Sequence, residues 1–147
     1  MRTVMALALG AAVTTGCTSP DTPTVEQAWV RLAAVPSRPS ALYFTLHGGP
    51  LPVTLIGVTT DVTVSSEMHE SMAKRGMTTM APLARLAVPA RADIVFAPGG
   101  RHVMLFDVNP GIKPGGRRPV VTLSFADGQR LVTTAIVVGP GQPMPDA

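Results

Sequence analysis

The chain has a single cysteine, Cys17, among its 147 residues. It can form no internal disulfide and no metal site with two protein thiolates. Aromatic residues are also scarce: Trp29, Tyr43, Phe44, Phe96, Phe106 and Phe125 are all there are. A core must therefore be built mainly from Val, Leu, Ile and Ala. Charged residues make up only 14%, and the basic ones are scattered singly apart from Lys74-Arg75 and Arg117-Arg118. A nucleic-acid surface needs a basic stripe or stacking aromatics. Neither is present, so no nucleic acid is expected as a partner. The chain has no Gly-x-Ser-x-Gly elbow and no phosphate loop, and its carboxylates are few, so no enzyme is expected and no catalytic residue is assigned. Sustained helical periodicity is missing after the first residues, and fifteen prolines and fourteen glycines argue against long helices.

What is there reads as β structure. Hydrophobic residues reach 46%, enough for a globular domain. They fall in short runs, broken by Gly, Pro and Asp, at 27–33, 41–46, 53–59, 62–68, 77–83, 92–97, 102–108, 120–125 and 131–138. Alternation is plain in Val121, Leu123 and Phe125. Asp127-Gly128 is a strong signal for a tight hairpin between the last two runs. About nine short strands at such spacing predict an all-β sandwich or Greek-key barrel over residues 26–138, with a loose Pro/Gly-rich tail at 139–147.

The N-terminus reads as an address. A positive start is followed by a short apolar stretch and then by Thr14-Thr15-Gly16-Cys17, the pattern of a secretory signal. The apolar run falls well short of the roughly 20 residues a permanent bilayer span needs. A cysteine closing that run after a small residue resembles a bacterial lipoprotein processing site. This implies a signal peptide over 1–16, lipid attachment to Cys17, a tether over 17–25 and an extracytoplasmic, lipid-anchored protein.

Chemistry concentrates in methionine and histidine. The eight methionines include Met68, Met72, Met77 and Met80 in close succession, and there are three histidines, His47, His69 and His102. Alternation alone accounts for Met68, Met72 and Met77 as core filler. His47, before Gly48-Gly49, reads as a surface turn residue. The remaining set is more specific: His69, ten residues, Met80, twenty-one residues, His102, one residue, Met104. His102 and Met104 are two apart in an expected strand and so share a face. Antiparallel pairing would bring His69 and Met80 together, and all four converge if those strands neighbour the strand of His102. Imidazole and thioether are neutral ligands, and soft thioether sulfur selects Cu(I). Zinc sites use thiolate, imidazole and carboxylate instead, and a blue-copper site needs a cysteine within the fold. Ligating imidazoles must be neutral, so copper affinity should fall on acidification.

These residues resemble the signature of the PCuAC-type periplasmic copper(I) chaperones, which His69, Met80, His102 and Met104 meet without gap or shift. Ala28-Trp29-Val30-Arg31, His69-Glu70-Ser71-Met72 and Gly99-Gly100-Arg101-His102-Val103-Met104 resemble further stretches of that family. The resemblance implies a cupredoxin-like Greek-key β-barrel with Cu(I) held by those four residues. It also implies delivery of copper to the binuclear centre in the copper-bearing subunit of cytochrome c oxidase, alongside Sco-type thiol proteins. The competing expectation is a copper storage or resistance lipoprotein with no dedicated oxidase target.

Overall fold

A computed structural model describes residues 21–146; the expected signal peptide and Cys17 lie outside the described residues. The expected runs form strands, with four informative differences. In chain order they are β1 (Thr24–Arg31), β2 (Ser40–His47), β3 (Val53–Thr60), β4 (Ser65–Lys74), β5 (Met77–Pro82), β6 (Leu86–Val88), β7 (Asp93–Phe96), β8 (Arg101–Phe106), β9 (Val120–Phe125), β10 (Arg130–Thr134) and β11 (Ile136–Val138). One sheet has the order β11-β1-β2-β7-β8-β4-β5, with β2 also pairing β8, and the other has the order β10-β9-β3-β6.

The alternating pattern explains how the two sheets meet. From the larger sheet, Leu42, Phe44, Leu46, Met68, Val103 and Leu105 point inward. Leu55, Val58, Val88, Val121, Leu123 and Phe125 of the smaller sheet meet them. Phe44 and Phe96 stack with ring centroids 4.4 Å apart. Each fully buried side chain of this kind contributes about 1.5–3 kcal/mol relative to an exposed one, so aliphatic packing carries a core that has few aromatics.

The first difference is the run at 131–138. It is two strands, because Ala135, fully buried, marks the point where the chain leaves one sheet for the other. β10 pairs antiparallel with β9, whereas β11 pairs parallel with β1. The second is β6, three residues between Pro82 and Pro89, too short to stand out as a run and held by pairing with β3. The third is the run at 62–68: residues 61–64 turn, and Val62 packs with Ile112 and Val137 in a small cluster of its own. β1 also starts earlier than expected, with a bulge between Glu26 and Trp29 where Gln27 takes φ 52°; such a bulge re-aims the following side chains.

Two turns follow their residue chemistry. Gly128, at φ 89°, sits in the expected β9–β10 hairpin, and Asp127 Oδ1 accepts the Gln129 N–H at 2.9 Å. Arg75 and Gly76 both have positive φ, 51° and 76°, the requirement of the two-residue hairpin turn whose twist matches the strands. That turn fixes the register of β4 on β5 and so the height at which Met80 stands.

Beyond β11 the chain folds back on itself. Gln142 Oε1 accepts the Gly139 N–H, and the Gln142 carbonyl accepts a hydrogen bond from Arg31 Nε at 2.9 Å.

Candidate metal centre

The four singled-out residues lie on the outer face of the larger sheet. β4 is flanked by β8 on one side and β5 on the other, the adjacency that convergence requires. Across β4 and β8, His69 stands directly opposite His102 and Glu67 opposite Met104. Across β4 and β5, Met80 stands opposite Ser71, one step along the same face from His69. Alternation explains this choice of face. Met68 and Val103, between the outward residues, are inward and buried at 5% and 0% exposure, so burying them forces His69, His102 and Met104 outward.

The two imidazoles have ring centroids 6.0 Å apart and planes inclined by 28°. Each has one nitrogen engaged. His102 Nδ1 lies 3.1 Å from the Gly100 carbonyl oxygen, which can only accept, so Nδ1 carries the proton and Nε2 keeps its lone pair. His69 Nε2 lies 3.0 Å from Glu67 Oε2. With the carboxylate ionised, Nε2–H donates, and the lone pair falls on Nδ1. That His69 Nδ1 is buried and has no hydrogen-bond partner. Leaving a buried polar atom unpaired costs about 1–3 kcal/mol, and a soft cation accepting its lone pair would remove that cost. Residue chemistry and geometry therefore both fit a metal held by His69, His102, Met80 and Met104. Among the described residues no three His, Cys, Asp or Glu side chains come together as a metal-binding group.

Exposure is graded across the set. His102 is buried at 8%, the His69 side chain is 13% exposed, Met104 is half-buried, and Met80, on an edge strand, is 59% exposed. His102, Met104, Met80 and Ser71 open into a cleft of about 770 Å³ beneath the loop that joins β1 and β2. The Gly100 carbonyl accepts the Ser71 N–H as well as the His102 ring proton, so one backbone group braces both strands. Arg101 and Glu70 add a cross-strand ion pair at 3.2 Å on the opposite face.

Glu67 and Gly100 were not singled out from the sequence. Glu67 had a signal: it is two residues before His69 in a strand and so shares its face. The Gly100 carbonyl had none, since main-chain acceptors are invisible to residue type. Two expectations about side chains are corrected. Met72 and Met77 are not core filler, being 48% and 68% exposed, because the β4–β5 hairpin runs past the smaller sheet; Met68 is core. His47 is not in a turn but ends β2, with Nδ1 2.6 Å from Asp93 Oδ1 and Nε2 3.4 Å from Glu26 Oε2.

Comparison with known proteins identifies the family and the fold. A family model described as "Putative lipoprotein LpqE-like" matches residues 23–137. "Putative lipoprotein Lxx21020" from Leifsonia xyli subsp. xyli is 31% identical over 105 residues, 71% of this chain and 62% of that protein. The chain thus matches about three fifths of that relative's length. Among solved structures, apo-DR1885 from Deinococcus radiodurans is 27% identical with a TM-score of 0.60, covering 96% of this chain and 95% of that one. CuI-DR1885 is 26% identical with a TM-score of 0.57, covering 82% and 80%. A copper-bound PCuAC domain from PmoF2 has a TM-score of 0.65 at 23% identity, over 84% and 97%, and shares the fold. The two-sheet architecture is thus the cupredoxin-like sandwich of PCuAC domains, and the chain belongs to the LpqE-like lipoprotein family.

Proposed function

We propose that this protein is an extracytoplasmic copper(I) carrier that binds Cu(I) through His69, Met80, His102 and Met104 and releases it to another copper protein. The observation that carries the reading is the orphaned, buried His69 Nδ1 on the same sheet face as a second imidazole and two thioethers. Support comes from the similar DR1885, whose solved form is described as CuI-bound. Four neutral donors leave the single positive charge of Cu(I) uncompensated, which disfavours Cu(II) further. Lipid on Cys17 would hold the domain at the outer face of a membrane, and tethering raises effective concentration there without any new contact. The recipient that best suits such a carrier is the binuclear copper centre of cytochrome c oxidase, with Sco-type thiol proteins acting alongside.

The chain's own residues set how copper is held and let go. Glu67 fixes the His69 ring, and the Gly100 carbonyl fixes that of His102, so both lone pairs are pre-aimed. Met80, the most exposed of the four, is the first to be exchanged, and its thioether leaves without taking up a proton. His102, the most buried, is the last.

Two measurements test the reading. Cu(I) titration against a competing chelator should give one copper per chain in a colourless complex, and Met80→Ala/Met104→Ala should abolish that stoichiometric binding. Parent-like affinity in the double variant would sink the site. Incubating the loaded protein with an apo oxidase copper domain, followed by mass spectrometry, should show copper moving to that domain; retention by the carrier would favour storage.

A further inference from the structure

The cleft that receives Met80, His102 and Met104 is bounded elsewhere by a different chemistry. Arg31 and Arg38 line it together with Tyr43 and Val35. Arg31 is held in place: its guanidinium carbon lies 5.0 Å from the Trp29 ring centroid and 5.7 Å from that of Tyr43, and its Nε donates to the Gln142 carbonyl. Arg38 stands exposed on the loop between β1 and β2. Among the described residues neither arginine is ion-paired with a carboxylate. The carboxylates nearest the ligands are committed elsewhere, Glu67 to His69 and Glu70 to Arg101, and neither lines the cleft. The cleft therefore carries two positive charges that no carboxylate among its lining residues compensates.

An acceptor that approaches Met80, His102 and Met104 through this cleft meets those charges, so its own charge sets how readily it arrives. We infer that the cleft is the docking site of the copper acceptor and that it takes a carboxylate-bearing segment of an acceptor protein. This rests on the Cu(I)-carrier reading above. Carboxylates of that segment face Arg31 and Arg38 while its sulfur donors approach the metal. Copper stays Cu(I) throughout: its bond to the Met80 sulfur breaks as a bond to an acceptor thiolate forms, and the thiol proton passes to solvent. Opposed charges of this kind act on the encounter rate and on partner choice more than on final affinity, and their effect is screened at high salt.

The test uses the Cu(I)-loaded chain and two synthetic peptides with the same two-cysteine core, one flanked by Asp and Glu and the other by Lys. At low ionic strength the acidic peptide should draw copper about 10-fold faster or more, and about 0.5 M salt should remove most of that advantage. Arg31→Gln/Arg38→Gln should bring the two rates within about 2-fold of one another while leaving equilibrium Cu(I) affinity unchanged. Arg38→Gln alone, on the exposed loop, should remove part of the advantage and guards against misfolding of the Arg31 variant. Arg85→Gln/Arg130→Gln, which removes the same charge away from the cleft, should keep the advantage. Equal rates for the two peptides on the loaded parent would overturn the docking site and leave the carrier reading intact, as would an equal loss in the remote pair. A parent that bound no Cu(I) would overturn both.

Discussion

His47 and the pair His69/His102 lie in the same sheet and differ in almost everything else. His47 is set between two carboxylates, Asp93 at 2.6 Å and Glu26 at 3.4 Å. The hydrogen bond that His47 donates to Asp93 is the main cause holding its pKa above the ordinary imidazole value, and the charges of Asp93 and Glu26 add to it against a partial desolvation. Its environment rewards a proton. His69 and His102 each have one nitrogen bonded to a single acceptor and the other left over, with thioethers as neighbours on the face. Their environment leaves room for a metal instead. Residue type is shared; what differs is how many acceptors surround the ring and whether the remaining neighbours are hard oxygen or soft sulfur.

The strongest way to break this contrast is to remove a ligand. His102→Ala should lower Cu(I) affinity by more than about 100-fold, beyond the 10–100-fold typical of outer-shell partners, whereas His47→Ala should leave it within about 2-fold of the parent. Competition titration of both variants decides it, and equal losses would show that the contrast has no functional meaning. The next effect concerns the carboxylates. Glu67→Ala should weaken Cu(I) binding about 10-fold because His69 loses the acceptor that fixes its tautomer, while Glu26→Ala should not change it.

The smallest effect is in stability. Because the folded pKa of His47 is raised, its clasp contributes below the unfolded imidazole value of about 6.5, and the contribution fades as pH rises through the folded value. Asp93→Asn should therefore destabilise the fold at pH 5.5 by at most about 0.5 kcal/mol, since Asp93 is 65% exposed and solvent screens the pair. The difference should be smaller at about pH 9, above the unfolded value. Denaturant melts at the two pH values check this, and a deficit that grew with pH would contradict the assigned pairing.

Much of this was legible in the sequence, but unevenly. Strand positions were readable wherever alternation ran over five or more residues, as in β9. The sheet order was not, because pairing partners far apart in sequence leave no local trace. The break at Ala135 looks like one continuous run, since both flanks are β-branched. The ligand set was legible because spacing of soft donors is itself chemical information. Its convergence was not, depending as it does on β4 lying between β5 and β8. The methionines show the limit best. Met68 and Met72 share a face by parity, yet one is buried and the other exposed, because the hairpin outruns the sheet beneath it.

The start of β1 has one more consequence. Thr24 pairs with His47, at the opposite end of β2 from Ala41, which pairs with Met104. Two strand spacings to His102, three to His69, and about four residues of strand separate them from Thr24, an offset of about 20 Å at most. The six residues between Cys17 and Thr24 can add at most about 25 Å. A domain moored at Cys17 would thus hold its copper no higher than about 45 Å above the bilayer. A receiving protein would then have to bring its own metal site within that height, whether it is embedded in the membrane or approaches it from solution.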